Sequence, residues 1–153
     1  MNHFENKTLV QKLEWIYDTY GYHVSNNSYY LSYNQKDISN MFERLRHFDS
    51  NSSEEYSYPE KCGRHKIDKI RDLTVGILVD YKNGGTRSKP RFPSSKSSEM
   101  ITFYFENGCT MTIRTSGTEP KIKWYSEIKQ LDKTKYSFDF IIVKLFFKLF
   151  ILI

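Results

Sequence analysis

Apolar positions recur along this chain with two periods, and the switches between them mark its elements. Leu9, Leu13, Ile16, Tyr17 and Tyr20 share one face at the helical period, so a helix is predicted there. Thr8 stands where an N-cap belongs and Gly21 where a helix stops. Tyr29 to Tyr33 predicts a short aromatic strand. Ile38, Met41, Phe42, Leu45 and Phe48 return to the helical period, with Asp37 placed to cap the helix. Residues from Ser50 to Ser57 are polar and predict a loop. Between Ile67 and Leu73 the apolar residues fall at every third position, which leaves helix and strand both open. Asp80 to Ser98, rich in Gly, Pro, Ser, Lys and Arg, predicts a mobile loop.

The clearest alternation follows. Ile101, Phe103 and Phe105 alternate with Thr102 and Tyr104, and Asn107-Gly108 is a two-residue turn signal. Cys109, Met111 and Ile113 then alternate with Thr110, Thr112 and Arg114. Ile122, Trp124 and Ser126 continue the alternation as a further strand. Strands in series with two amphipathic helices predict an antiparallel sheet backed by helices on one face, an α+β fold. No internal repeat is visible.

Composition narrows the partners. At 153 residues the chain is one domain, or one domain and a tail. Its 12 Tyr and 11 Phe supply ample core and exclude disorder throughout. The net charge of +5 suits an anionic partner. The positive charge is scattered rather than concentrated in one helix or arm, which favours a phosphate ester over nucleic acid. Cys62 and Cys109 lie far apart and outside any CxxC or Cys/His spacing, so both read as reduced cytosolic thiols. The histidines, His3, His23, His47 and His65, show no metal spacing. The opening residues are polar and then amphipathic, without the pattern of a secretory signal, and a cytoplasmic location is expected.

The candidate chemistry is concentrated in Arg114-Thr115-Ser116-Gly117-Thr118-Glu119-Pro120-Lys121. Eight residues gather a guanidinium, three hydroxyls, a glycine and an ammonium between two predicted strands. A phosphate dianion needs fixed N–H donors, rotatable O–H donors and positive charge. Glycine lets backbone approach the oxygens closely. The residues alone leave two readings, an anion-binding loop and a solvated hairpin loop.

The run TIRTSGTEPKIKWYSE resembles the phosphate-binding loop in the C-terminal domain of the alpha-D-phosphohexomutase superfamily. It is most similar to the eukaryotic branch of phosphoglucomutase-2, phosphopentomutase and glucose-1,6-bisphosphate synthase. The segments YGYHVSNNSYYL, MFERLRHFDS, YPEKCG, IRDLTVG and SSKSSEMITFYFENGC resemble that branch in the same order, from about Leu9 to Glu127. The resemblance implies a lead-in helix over 1–21, the C-terminal domain over 22–127 and a divergent apolar tail over 128–153. It implies a strand at Ile67 to Leu73 and a fold similar to half of a TATA-box-binding protein.

It also implies roles. Arg114, Ser116, Gly117 and Thr118 match the family residues that grip the non-reacting phosphate of the substrate, and Lys121 adds charge. Glu119 is expected to point away from the anion and order the loop. Arg71 and Asp72 match the family as well and read as an ion pair at a strand end. Lys96 with Ser94, Ser95, Ser97 and Ser98 reads as a solvated loop. The family's nucleophilic serine and its DxDxD magnesium site are both missing from this sequence. The expected chain is therefore a substrate-phosphate-binding part of a sugar-phosphate mutase with no cofactor of its own. The full family enzyme uses magnesium and a sugar bisphosphate, and the missing mutase domains are the natural partners. A regulatory module that binds sugar phosphates or a full-length mutase is the alternative. After Glu127 the family's closing helix is replaced by a tail whose Ile141 to Ile153 is apolar except for Lys144 and Lys148. That is short of the roughly 20 apolar residues of a membrane span. It is expected to be a divergent terminus, from alternative splicing, read-through or an imperfect gene model.

Overall fold

Helix α1, Leu9–Tyr20, opens on Thr8 as the sequence predicts. In this computed structural model, which describes residues 8–130, Thr8 Oγ1 accepts from Gln11 N at 3.3 Å. The Gln11 side chain accepts from Thr8 N at 2.9 Å, completing a capping box. Gly21, at φ 89°, stops the helix and donates its N–H to Tyr17 O. None of the residues of α1 is buried, so its apolar face adds nothing to the core.

Helix α2, Gln35–Arg46, does the packing, with Ile38, Met41, Phe42 and Leu45 buried. Its N-cap is Asn34 and not Asp37: Asn34 Oδ1 accepts from Lys36 N at 3.0 Å. Asp37 sits in the first turn instead, where its charge meets the positive end of the helix dipole. The helix ends before Phe48, which is exposed, so the last residue of the predicted stripe lies outside the core.

The strands are β1 Tyr22–Leu31, β2 Lys61–Cys62, β3 His65–Asp72, β4 Ile77–Asp80, β5 Thr86–Ser88, β6 Met100–Phe105, β7 Cys109–Thr115 and β8 Lys121–Gln130. Their order is β1-β8-β7-β6-β3-β4-β5, with β2 paired to β3, and every pairing is antiparallel. The α+β prediction therefore holds. One face of the sheet meets α2 through Ile70, Ile101, Phe103, Met111, Ile113, Ile122 and Trp124. The other face carries Thr102, Thr110, Thr112, Arg114, Lys123 and Tyr125.

Several predicted elements change. β1 is a ten-residue strand ending at Leu31, not a short one from Tyr29 to Tyr33, and it pairs along its length with β8. Its middle, Ser25 to Ser28, is only Ser and Asn, as an edge strand that packs little allows, so hydrophobic period is silent there. β3 is a strand, and its odd spacing has a cause. The register with β6 shifts between Ile67 and Lys69, a bulge that inserts one residue between Ile67 and Ile70 and leaves both buried. The predicted loop from Asp80 to Ser98 contains a 3₁₀ turn, Tyr81–Asn83, and strand β5.

The β6–β7 connection is a three-residue loop rather than a two-residue turn. Gly108 N donates to Phe105 O at 3.0 Å, Gly108 takes φ 81°, and no residue but glycine has positive φ among the described residues. A type I turn followed by a left-handed glycine gives this shape. Arg71 and Asp72 do not pair, because they point to opposite faces of β3. Arg71 lies over the rings of Phe92 and Tyr104, whereas Asp72 is fully buried against Arg46. Strand β8 runs past Glu127 to Gln130, opposite Tyr22. The apolar stretch from Ile141 lies outside the described residues. Among the described residues, no helix is long and apolar enough to cross a membrane.

Candidate functional site at the β7–β8 loop

Strand β7 delivers Arg114 and Thr115, and β8 resumes at Lys121, so residues 116–120 form the connecting loop. The loop is closed by Ser116 N donating to Lys121 O at 2.9 Å and by Lys121 N donating to Glu119 O at 2.8 Å. Ser32 N, just past β1, holds Pro120 O at 2.9 Å. Below the loop, Thr115 and Glu99 clasp each other. Thr115 N donates to Glu99 O at 3.0 Å, and Glu99 N donates to Thr115 Oγ1 at 3.2 Å.

Each expected side chain has a defined setting. Arg114 is exposed on the open face of the sheet. Its Nη2 donates to Tyr125 Oη at 3.3 Å, and its guanidinium lies 5.5 Å from the centre of that ring. That hydrogen bond, helped by the charge, holds the Tyr125 phenol below its ordinary pKa. Register places Tyr125 opposite Thr112 and Lys123 opposite Arg114, so the pair is a diagonal cross-strand contact. Tyr125 also walls an open depression of about 400 Å³ with Asn27, Thr110, Thr112 and Glu127.

Ser116 is half-buried, and its Oγ is buried with no hydrogen-bond partner among the described residues. Gly117 and Thr118 are exposed. A Cβ built on Gly117 would meet nothing within 4 Å, and its φ lies outside the left-handed region. Among the described residues, neither packing nor backbone strain demands glycine there. Lys121 is mostly buried and ion-paired with Glu119, with its Nζ 4.6 Å from the centre of the Tyr29 ring. The hydrogen bond from Lys121, then its charge, lowers the Glu119 pKa.

Arg114, Ser116, Gly117 and Thr118 thus share one braced loop, while the charge of Lys121 is already matched by Glu119. Sequence reasoning did not find Tyr125 or Glu99. The first could be found only by knowing the β7–β8 register, and the second has no motif signal. Lys96 is exposed beside the hydrogen-bonded hydroxyls of Ser95 and Ser97, which lie 2.8 Å apart. Among the described residues no three His, Cys, Asp or Glu side chains come together as a metal site.

No family model matches the chain. Curated proteins do. The chain is 49% identical over 123 residues to human glucose 1,6-bisphosphate synthase, which spans 80% of the chain and 18% of that protein. It is 46% identical over 124 residues to human phosphopentomutase, covering 81% of the chain and 19% of the relative. To the probable phosphoribomutase of Schizosaccharomyces pombe it is 42% identical over 122 residues, 79% of the chain and 19% of the relative. The chain therefore spans about a fifth of the length of the curated relatives it matches. Among solved structures, the phosphoglucomutase pp63/parafusin of Paramecium in its open form superposes with a TM-score of 0.50 at 18% identity. That match covers 92% of this chain and 22% of the other, and it speaks for the fold. By these likenesses the chain fits the C-terminal part of the phosphohexomutase family, with glucose 1,6-bisphosphate synthase and phosphopentomutase among its relatives.

Proposed function

We propose that this chain is the substrate-phosphate-binding C-terminal domain of a sugar-phosphate mutase, a fragment or truncated form that is inactive alone. The observation that carries the proposal is the buried Ser116 hydroxyl. It has no partner among the described residues, on a braced loop beside the exposed Arg114. A buried hydroxyl left without a hydrogen bond is costly, and an oxyanion would satisfy it. The names of the relatives associate those proteins with a glucose bisphosphate and with pentose phosphates, so a sugar phosphate is the ligand class.

The chemistry follows from the groups on the loop. Arg114 supplies charge-assisted N–H donors, Ser116 and Thr118 supply hydroxyls, and Gly117 supplies a backbone N–H without a Cβ in the way. Lys121 adds positive potential, reduced by its ion pair with Glu119. None of these groups is a nucleophile or a general base aimed at a reacting atom. Their part is to hold one phosphate while the other end of the sugar reacts elsewhere in a complete enzyme. Binding energy at such a remote phosphate contributes to orientation and closure. Magnesium, where the full enzyme uses it, would stabilise charge on the transferring phosphoryl group, and its ligands would come from other domains.

The test is a titration of the isotope-labelled chain with inorganic phosphate and glucose 6-phosphate, followed by NMR. Amide shifts should centre on residues 114–121. Arg114→Ala should weaken binding by about tenfold or more, since a hydrogen bond to a charged group contributes about 1.5–3 kcal/mol. No shift at millimolar ligand would sink the reading, as would mutase turnover by the purified chain alone.

A further inference from the structure

A buried arginine joins the helical layer to Glu99, which in turn holds the end of β7. Arg46, the last residue of α2, is 2% exposed. Its Nε donates to Asp72 Oδ2 at 2.8 Å and its Nη2 to Asp72 Oδ1 at 3.4 Å. Nη1 donates to Glu43 Oε1 at 2.8 Å, and Nη2 also donates to Glu99 Oε2 at 2.5 Å. Burial alone would lower the guanidinium pKa. Hydrogen bonds to Asp72 and Glu99 outweigh it, and the net shift is upward, so the charge is permanent.

The two arms of this fork end differently. Asp72 is immobilised by Tyr58 Oη at 3.0 Å and by the backbone N–H groups of Thr74 and Val75 at 2.8 and 3.3 Å. It is a fixed anchor. Glu99 leads into β6 and clasps Thr115 through two backbone groups. The segment around it is pinned on its other side, with Met100 N donating to Thr74 Oγ1 at 2.9 Å and Leu73 N to Met100 O at 3.0 Å. Hydrogen bonds therefore run without a break from Asp72 through Arg46 and Glu99 to Thr115, the residue between Arg114 and Ser116.

We propose that Arg46 is a positioning residue for the β7–β8 loop, acting through Glu99 on Thr115. This rests on the reading of that loop as a phosphate site. An ion pair this deep is weak evidence for stability, because well-packed apolar side chains would serve the core as well. What an apolar residue could not do is hold the Glu99 carboxylate, and so the Thr115 clasp, in one place.

The experiment uses the full chain with Glu99→Ala as the main variant, since it leaves the buried Arg46–Asp72 pair intact and strands neither of those charges. Inorganic phosphate is the probe, and amide hydrogen exchange is read alongside it. Glu99→Ala should bind phosphate about fivefold to tenfold more weakly and speed exchange at Thr115 and Ser116, with Phe103 and Met111 unchanged. Glu99→Gln, which still accepts from Nη2, should recover most of both. Arg46→Met, if it folds, should match Glu99→Ala. Wild-type phosphate affinity in Glu99→Ala overturns the proposal, and so does exchange that rises equally in loop and core. If the wild-type chain binds no phosphate, the reading of the loop fails, and the exchange at Thr115 and Ser116 still decides whether Glu99 holds it.

Discussion

At the scale of single residues, glycines separate what the fold needs from what the site needs. Among the described residues, Gly117 has no neighbour within 4 Å of a would-be Cβ, and it has no positive φ. Gly117→Ala should leave stability unchanged or raise it by about 0.5 kcal/mol, through lost freedom in the unfolded chain. It should nevertheless weaken phosphate binding, because a methyl group then stands where oxygens would approach the backbone. Thermal unfolding and a phosphate titration of the same variant check both halves, and unchanged affinity would remove Gly117 from the site. Glu119 gives a second test. Its folded pKa is lowered by Lys121, so the pair favours folding above the ordinary carboxylate pKa and its contribution fades as pH falls. An NMR titration should find Glu119 below the usual range in the wild type and back within it in Lys121→Met. Composition made the loop legible as a run of donors around a glycine. It could not show that Lys121 is matched by Glu119 or that Arg114 shares Tyr125, since both depend on how β8 pairs.

At the scale of elements, legibility followed burial. The β6–β7 hairpin and helix α2 were readable because each buries one face and so writes its period into the sequence. β1 was half hidden because it is an edge strand with few buried positions. β3 was ambiguous because its bulge breaks the period of two, and only the partner strand reveals a bulge. The hairpin carries its own prediction. Gly108 also has nothing within 4 Å of a Cβ, but its φ of 81° is left-handed. Gly108→Ala should therefore cost about 1–2 kcal/mol by backbone strain alone and leave phosphate affinity untouched. A denaturant series checks the first value. A neutral result would mean that the loop relaxes into another turn.

At the scale of the whole molecule, the buried titratable groups set a limit on alkaline stability. Cys62 in β2 and Cys109 in β7 are buried thiols, and desolvation raises their pKa from 9.0 to about 12 and about 11. Desolvation likewise raises Tyr58, with the nearby Asp72 charge adding to it, and lifts Tyr81 to about 12. Each group binds more protons folded than unfolded once pH passes its ordinary value, so stability must fall as pH rises. The thiol contributions are complete below pH 9 and decline through pH 11 and 12. By pH 10.5 each thiol has withdrawn about 2 kcal/mol, because holding one extra proton costs about 1.36 kcal/mol for every pH step of one. That is a large share of the roughly 5–15 kcal/mol typical of a domain. The urea midpoint should hold from pH 7 to pH 8.5 and then drop steeply. Replacing both cysteines by alanine should lower the midpoint at neutral pH, through lost packing, yet flatten its decline between pH 9 and 10.5. The tyrosine part of the decline should survive that change. A wild-type midpoint that stays level to pH 10.5 would mean the thiols are open to water, and the sheet and α2 would not enclose a single core.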